Sequence, residues 1–321
     1  MPVDSPRILF VGAHVEALRP FEHLIARSQS IVGLFTLEPE SLSKMSGGVD
    51  LTQSACTARI PVMKGKNVND PEVIEWIRQK SPDVLLVVGC TQLVKPQLLA
   101  LPKIAALGFH ASLLPRYRGR APVNWAILNG ESETGNTMIV LEPGADEGDI
   151  VSQRRIPITF EDDCATIYQK VSVSECEMLD EVIPLLLQGC MPRRKQDPSQ
   201  ATVMPKRWPE DGLIDWNWTS RRLYDWVRAL TQPYPGAFTY LSDRKITIWK
   251  AGIVDGASQN PPGSIDFDAN GWPLVTTHDG FLKLLNLQCE GYPPCTGLEA
   301  AQSFLQPPIS FQPLASLKVA G

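Results

Sequence analysis

Val84-Leu-Leu-Val-Val88 is the stretch on which the fold prediction depends, because all five side chains are apolar and three of them are β-branched. Such a run is typical of a strand buried on both faces of a sheet. Asn69-Asp-Pro71 precedes it with an Asx cap and a proline at the first helical position, so a helix is predicted over Glu72–Lys80. That helix ends at Ser81-Pro82, just before the strand. A helix leading straight into a buried strand indicates a parallel sheet with right-handed crossovers.

The same alternation of strand and helix extends in both directions. Upstream, strands are predicted over Arg7–Ala13 and Ile31–Thr36, with a short helix over Pro20–Arg27 between them. Downstream, two strands and a long amphipathic helix are predicted over the ranges Thr137–Leu141, Ile150–Ile156 and Ala165–Leu187. Residues 1–200 are therefore expected to form an α/β domain with a doubly wound, mostly parallel, Rossmann-like sheet.

The character of the sequence changes after Gly189. Residues 191–210 are rich in Pro, Arg, Lys and Gln and are interpreted as a linker. One helix is then predicted over Arg221–Leu230, and short alternating segments follow it with turn residues between them. These segments are Ala237–Leu241, Lys245–Trp249, Leu274–Thr277 and Phe281–Asn286. The pattern predicts a second, smaller domain over residues 201–321, an OB-like β-barrel.

Composition limits the classes of function. The chain has 30 Lys and Arg against 35 Asp and Glu, a net charge of −5, which argues against a protein whose main task is to hold a nucleic-acid backbone. It has no apolar stretch near the roughly 20 residues that span a bilayer and no signal-peptide pattern, so a cytoplasmic location without a membrane partner is expected. The seven cysteines show no CxxC pair and no zinc-type spacing, so no metal site is predicted.

A histidine-containing segment follows the predicted strand Val84–Val88: it reads Phe109-His110-Ala-Ser-Leu-Leu-Pro115 and continues to Arg118-Gly119-Arg120. We expect it to form a loop at the carboxyl edge of the sheet, where ligands bind in open α/β folds. A single histidine is more often structural than functional. A second loop, however, follows the next predicted strand and brings Asp146 to the same expected edge. The two residues are therefore predicted to be a functional pair.

Four motifs, in this order along the chain, carry a resemblance to a known family. They are His-x-Ser-Leu-Leu-Pro from His110, Arg-Gly-x-x-Pro from Arg118, Glu-Thr-Gly-x-Thr from Glu133 and Asp-x-Gly-Asp-Ile from Asp146. The sequence resembles the folate-dependent formyltransferases, which include methionyl-tRNA formyltransferase, glycinamide ribonucleotide formyltransferase and the aminosugar N-formyltransferases. Leu213–Trp216 and Pro235–Phe238 extend the resemblance to the C-terminal part. It implies an enzyme that transfers a formyl group from 10-formyltetrahydrofolate to an amine.

The resemblance also implies roles for individual residues. Attack of an amine on a formyl carbonyl produces an oxyanion and an ammonium, so the reaction needs a hydrogen-bond donor and a proton acceptor. By the family pattern, His110 donates to the oxyanion or to the leaving nitrogen, and Asp146 sets the charge and orientation of His110. Thr137 falls where the family places a hydroxyl near a catalytic water, although a β-branched strand residue explains it equally well.

Gly108 departs from the family pattern at this centre. The family has asparagine here, and its amide is the second donor to the oxyanion, whereas glycine has no side chain to donate. Three explanations stay open: a substitute donor, a site trimmed for a bulky acceptor, or a weakened enzyme. A fourth belongs to another class, a non-catalytic folate-binding homologue.

The expected folate site is carried over from the family by position. Family members hold the pterin edge with backbone groups, so the side chains there can vary. The matching residues are Thr91, Gln92, Leu93, Val94, Ser112, Leu113, Leu114, Pro115, Glu142, Pro143, Gly144, Ala145 and Asp146, and Arg120 matches a basic residue near the donor.

Three acceptors are compatible with the resemblance. The sequences of Arg116–Ala126 and Asn67–Asp70 most resemble those of enzymes that formylate nucleotide-linked 4-amino sugars. Such a small molecule is therefore the first expected acceptor. A small amine or amino acid of siderophore or secondary metabolism is the second. Methionyl-tRNA is the third, because residues 205–321 contain ten Lys and Arg against eleven Asp and Glu. The basic segments Arg193-Arg-Lys195 and Lys206-Arg207 keep this acceptor open. The sequence carries no sign of oligomeric state, so a homodimer stays open.

Overall fold

The chain divides into two compact units in the computed structural model, which describes residues 5–305 and 309–312. The first unit comprises the residues up to Val123 together with Ser132–Thr159 and Thr166–Lys206. The second comprises Asn124–Glu131, Phe160–Ala165 and the described residues from Arg207 on. The chain therefore crosses from one unit to the other more than once.

A central sheet organises the first unit. Its strands, with two short ones outside the sheet, are β1 (Ile8–Gly12), β2 (Ile31–Leu37), β3 (Val62–Gly65), β4 (Val84–Val88), β5 (Ala105–His110), β6 (Arg118–Gly119), β7 (Glu133–Val140), β8 (Ile150–Pro157) and β9 (Val203–Met204). In the described chain the sheet runs β3-β2-β1-β4-β5-β7-β8. Neighbours from β3 to β5 are parallel, and β7 and β8 are antiparallel to their neighbours.

Helices cover both faces of this sheet. They are α1 (Val15–Ala26), α2 (Pro39–Ser43), α3 (Thr52–Thr57), α4 (Pro71–Lys80), α5 (Pro96–Leu99), α6 (Pro122–Leu128), which runs into the second unit, and α7 (Cys164–Leu187). Phe10 and Leu86 pack on one face against α1 and α7, and Leu9 and Leu85 pack on the other against α4 and α5. The predicted doubly wound, mostly parallel α/β class is confirmed.

Helix α1 begins at Val15 rather than at Pro20, which lies inside it. Proline lacks the backbone N–H that would bond to the carbonyl of Glu16, four residues back. Ser172 of α7 supplies a substitute, since its hydroxyl donates to the Glu16 carbonyl oxygen at 3.2 Å. The helix thus tolerates an interior proline because a neighbouring helix satisfies the orphaned acceptor.

The prediction that His110 lies in a loop is wrong, because it is the last residue of β5. Ala105-Ala-Leu-Gly108 is made largely of poor strand formers and shows no clear alternation. Its place between β4 and β7 decides the outcome, since both neighbours hydrogen-bond to it along its length. Tertiary context therefore overrides local propensity here.

The interpretation of residues 191–210 as a linker is also wrong. Val203–Met204 form β9, which pairs in parallel with β6, and Arg194 forms an isolated bridge with Ile150. The carbonyl of Met204 also accepts a hydrogen bond from the backbone N–H of Arg120 at 3.2 Å. The part of this stretch up to Lys206 is an ordered part of the first unit and is bound to the loop that follows His110, whereas residues 207–210 belong to the second unit.

The second unit is built on an antiparallel sheet, so the predicted second, smaller β domain is confirmed, and its OB-like barrel form stays a prediction. Its elements are α8 (Ser220–Leu230), β10 (Ala237–Leu241), β11 (Arg244–Val254), β12 (Ile265–Phe267), β13 (Pro273–Thr276), β14 (Phe281–Cys289), β15 (Cys295–Thr296) and α9 (Gly297–Ser303). The strand order is β10-β11-β14-β13-β12, with β15 paired to β14. Trp216 lies in its core, where it stacks on Phe311 at 5.3 Å and donates to Thr239 at 3.1 Å.

The expectation of a single helix in this unit is wrong, because α9 is present as well. Its start is a capping box: the Thr296 hydroxyl accepts from the backbone N–H of Glu299, and the Glu299 carboxylate accepts from the N–H of Thr296. Thr296-Gly-Leu-Glu299 is a recognisable helix-start pattern in the sequence.

The described part of the chain has no membrane-spanning helix and no disulfide bond. No helix within residues 5–305 or 309–312 combines the length and the apolar character needed to cross a bilayer. The seven cysteines all fall within those ranges and all are free thiols. Burial raises the pKa of Cys176 to about 11, and the neighbouring Glu175 adds to the shift, so this thiol is protonated at neutral pH.

Leu86→Ala should lower the free energy of unfolding by about 2–5 kcal/mol, because it leaves a cavity under the sheet. Leu86 is 1% exposed, whereas Leu187, at the end of α7, is 41% exposed. Leu187→Ala is therefore the matched control and should change the free energy by less than about 1 kcal/mol. Urea titrations of the full chain compare the two. Equal losses would contradict the assigned core.

Candidate active site

His110 lies at the carboxyl end of β5, and the alternation of side chains along a strand fixes the face to which it points. Leu107 and Phe109 pack with the α1 and α7 face, whereas Ala106 packs with the opposite face. Gly108 and His110 share the face of Ala106. The imidazole is only 7% exposed, and His110 stands opposite Thr137 in the β5–β7 ladder.

Both ring nitrogens of His110 face acceptors. Nε2 lies 2.7 Å from the carbonyl oxygen of Tyr117, and it must donate there because a carbonyl oxygen only accepts. Nδ1 lies 3.5 Å from the Oδ1 atom of Asp146. The site therefore presents a ring N–H donor at Nε2 next to a carboxylate that faces the other ring nitrogen.

Asp146 reaches His110 from the loop between β7 and β8. Its backbone has a φ of +57°, in the left-handed region that residues other than glycine seldom adopt. Its Oδ2 atom accepts a hydrogen bond from the backbone N–H of Gly119 at 2.8 Å. One carboxylate thus connects the β7–β8 loop to the imidazole and to the segment that follows it.

The structure brings the predicted pair together for a different reason from the expected one. The sequence suggests two strands that end at the same edge. Because β7 is antiparallel to β5, the chain instead leaves β7 beside Leu107, and the loop before β8 turns back toward His110. The edge argument is therefore wrong for Asp146, and a hairpin return takes its place.

Thr137 is fully buried and ties the Ser112–Pro115 loop to the sheet. Its hydroxyl donates to the carbonyl oxygen of Ser112 at 2.7 Å. It accepts from the backbone N–H of Leu114 at 3.3 Å and from the Gln153 side-chain amide at 2.9 Å. The hydroxyl thus holds the loop that begins one residue after His110.

The space beside Gly108 is filled by Leu141. A Cβ atom added to Gly108 would lie 2.7 Å from the Cδ2 atom of Leu141, closer than real Cβ contacts. An asparagine at position 108 would therefore require the leucine side chain to move. The space that the trimmed-site explanation leaves for a bulky acceptor is therefore occupied, next to the glycine, by the Leu141 side chain of the protein itself.

The stretch Thr91–Val94 follows β4 and is fastened by the chain just before α4. The Gln92 side chain accepts from the backbone N–H of Val68 at 2.8 Å and donates to the Lys66 carbonyl at 2.7 Å. Asn69 donates to the Leu93 carbonyl at 2.9 Å. The Leu93 side chain itself is 56% exposed. The stretch is thus a braced loop with one apolar side chain left in contact with solvent.

Leu141 joins the three stretches predicted to bind folate. It packs in one cluster with Val94 and in a second with Leu114, and it begins the loop that contains Glu142–Asp146. Burial raises the pKa of Cys90, at the head of the first stretch, while the Arg120 guanidinium acts to lower it. The place of Arg120 near the folate donor stays a prediction.

Sequence reasoning missed Gln196 and Thr202. The Gln196 side chain contacts the backbone of the β7–β8 loop, and the Thr202 hydroxyl accepts from the backbone N–H of Tyr117 at 2.8 Å. The two residues thus support the two neighbours of the His110 ring. Neither has a local sequence signal, since each contact joins residues far apart in the chain.

A buried acidic side chain, Glu175, is part of α7 on the opposite face of the sheet. Glu175 is 1% exposed, and neither of its carboxyl oxygens has a hydrogen-bond partner. The nearby Asn136 amide gives its hydrogen bonds to Val171 and Ser174 instead. Burial, and then the charge of Glu16, raise the pKa of Glu175 well above its usual range, and the Asn136 amide acts to lower it.

Two family models match the chain. The one described as formyl transferase covers residues 29–183, and the one described as formyl transferase, C-terminal domain, covers residues 207–305. A methionyl-tRNA formyltransferase of Geotalea uraniireducens (strain Rf4) is 34% identical over 287 residues, which are 89% of this chain and 91% of the relative. The chain belongs to the formyl transferase family. The predicted family and the predicted transferase class are confirmed.

Solved structures share the fold of this formyltransferase. HypX from Aquifex aeolicus in complex with tetrahydrofolic acid has a TM-score of 0.68 and 17% identity, over 99% of this chain and 50% of HypX, so the chain spans about half the length of HypX. WlaRD, a sugar 3N-formyl transferase solved in the presence of dTDP and 5-N-formyl-THF, has a TM-score of 0.64 and 16% identity, over 91% of this chain and 100% of WlaRD. Identities this low establish the fold alone.

Gly108→Asn should destabilise this formyltransferase by about 1–3 kcal/mol and lower kcat, because the new side chain overpacks against Leu141. Gly108→Asn combined with Leu141→Ala should regain part of both losses, since the shorter side chain makes room. Urea unfolding and steady-state kinetics measure the effects, and Leu141→Ala alone is the control. A Gly108→Asn variant with unchanged stability would contradict the close contact.

Proposed function

We propose that this formyltransferase transfers the formyl group of 10-formyltetrahydrofolate to an amine at the centre formed by His110 and Asp146. The observation that carries the proposal is the contact of both imidazole nitrogens with acceptors, with a carboxylate 3.5 Å from Nδ1. An amine that attacks the formyl carbon turns the carbonyl oxygen into an oxyanion, and a preorganised N–H donor stabilises that charge.

In the proposed step the amine nitrogen forms a bond to the formyl carbon, the bond from that carbon to the folate nitrogen breaks, and the folate nitrogen takes up the proton that the amine loses. His110 donates a hydrogen bond to the developing oxyanion or to the nitrogen that leaves, in place of its bond to the Tyr117 carbonyl. Asp146 balances the charge of the ring and keeps it oriented. Thr137 acts through the loop that it fastens, since its hydroxyl is engaged by Ser112, Leu114 and Gln153. Because Gly108 replaces an asparagine and has no side chain, His110 is the side chain that donates a hydrogen bond at this centre.

His110→Ala should lower kcat by about 10²-fold or more and leave the Kd for folate within about threefold. Asp146→Asn should cost a similar factor, and the double variant should lose far less than the product, because residues that act as a unit are not additive. His23→Ala is the matched control, since that histidine pairs with Asp180 on the surface of α1 and α7. Full activity of His110→Ala would place the reaction elsewhere.

For the acceptor we propose a nucleotide-linked amino sugar. The proposal is supported by the Lys and Arg side chains of the second unit, several of which already contact aromatic rings or carboxylates of the protein. The described residues include Arg207, Arg222 and Lys245 over aromatic rings and Arg221, Arg228 and Lys283 paired with carboxylates. Cations held in this way are poorly placed to release counterions along a phosphate backbone. The solved neighbour WlaRD is named as a sugar formyl transferase.

Methionyl-tRNA is the second candidate, and a specific observation favours it. The relative that is 34% identical over most of both chains is named methionyl-tRNA formyltransferase. The exposed Arg193-Arg-Lys195 segment offers the start of a basic track. Of this segment, Arg193 pairs with Asp149 at 3.3 Å, which reduces the charge available to a nucleic acid.

The acceptor is tested by mass spectrometry of candidate amines incubated with enzyme and 10-formyltetrahydrofolate. We expect the nucleotide-linked amino sugar to gain one formyl group, with kcat/KM only weakly dependent on salt. A tRNA acceptor would give a steep fall with salt, and Lys195→Ala would flatten the log–log slope by about one if it contacted a phosphate. Turnover of methionyl-tRNA with that steep slope, and none of the sugar, would reverse the assignment.

A further inference from the structure

Gln196 uses every hydrogen-bonding position of its side-chain amide at the candidate active site. Its Nε2 atom donates to the carbonyl oxygens of Asp146 at 2.7 Å and Gly148 at 2.8 Å. Its Oε1 atom accepts from Nε of Arg118 at 3.2 Å and from Nη2 at 2.8 Å. Arginine only donates and carbonyl oxygens only accept, so a single orientation of the amide satisfies all four contacts.

These contacts fix the peptide of Asp146 in an unusual conformation. Asp146 has a φ of +57°, which is strained for a residue with a side chain. The bonds to the carbonyls of Asp146 and Gly148 hold the loop on both sides of this position and offset the strain. A released loop would relax toward negative φ and would turn the carboxylate away from Nδ1 of His110.

Arg118 completes this arrangement from the other loop. It is 9% exposed, and its guanidinium also lies 3.5 Å from Glu147 through Nη1. Gln196 therefore stands between the segment that follows His110 and the loop that carries Asp146. The N–H of Gly119, next to Arg118, donates to the Asp146 carboxylate, so the two loops meet at both ends of the Asp146 residue.

We propose that Gln196 is a positioning residue for formyl transfer, which aims the Asp146 carboxylate at His110 through its bonds to the Asp146 and Gly148 carbonyls. This inference rests on the proposed roles of His110 and Asp146 and holds for any acceptor amine. Gln196 contacts neither ring nor carboxylate of the pair, so its effect on catalysis passes entirely through the geometry of the loop.

Gln196→Ala should lower kcat by about 10- to 100-fold, because a misplacement of about 1 Å at a reacting group costs rates of this order. The KM for folate should stay within about threefold. Gln196→Glu keeps the acceptor for Arg118 but cannot donate to the carbonyls, and it should lose activity to a similar extent. Gln200→Ala is the matched control, since Gln200 is exposed and its side chain donates to the neighbouring Ser199 hydroxyl. Thermal unfolding checks that each variant is folded.

The decisive measurement is the same substitution made in a His110→Ala background. If Gln196 acts through the imidazole, Gln196→Ala should change the residual rate of that background by less than about threefold. An equal loss in both backgrounds would show a general structural role and overturn the inference. Wild-type kcat in Gln196→Glu would also overturn it, and Gln196→Glu decides the matter if Gln196→Ala does not fold. Full activity of His110→Ala alone would instead refute the proposed centre.

Discussion

The antiparallel pairing of β7 with β5 is the constraint on which the candidate active site depends. It sets Thr137 opposite His110 and brings the chain out beside Leu107. The short return into β8 then delivers Asp146 to the imidazole. A parallel strand in this place would need a long crossover before the next neighbour, and no hairpin loop would cover the ring. The carboxylate, the buried hydroxyl and the apolar filler Leu141 all owe their positions to this reversal of strand direction.

Much of the fold could be predicted from the sequence because its strongest signals are local. The buried run of β4, the capped start of α4 and the alternation in the second unit each depend on residues within a few positions of one another. The strand that carries His110 gave no such signal, since alanine and glycine fill much of it and its neighbours supply the stabilisation. Helix α9 also has a local signal, since Thr296 and Glu299 form the capping box at its start.

The candidate site divides in the same way. His110 and Asp146 belong to motifs, and motifs are visible in a single sequence. The residues that hold His110 and Asp146 in place cannot be recognised in a single sequence. Gln196, for example, contacts Arg118 across 78 positions, and no sequence pattern between the two predicts that contact. A stretch rich in Pro, Arg and Gln has the composition of a linker, and only the three-dimensional structure reveals the residues that it contacts. Side-chain amides that satisfy backbone carbonyls are specified by three-dimensional neighbours rather than by sequence pattern.

The pairing of β9 with β6 has a consequence for the order in which the enzyme is made. Tyr117 and Thr202 lie 85 residues apart, and a contact at such separation closes a large loop and forms late. During synthesis, all four motifs leave the ribosome well before the segment that aligns them. A chain that ends before Met204 contains the four motifs but lacks β9 and the Thr202 hydroxyl, so we expect the proposed centre to be aligned only after the last part of the first unit has been made.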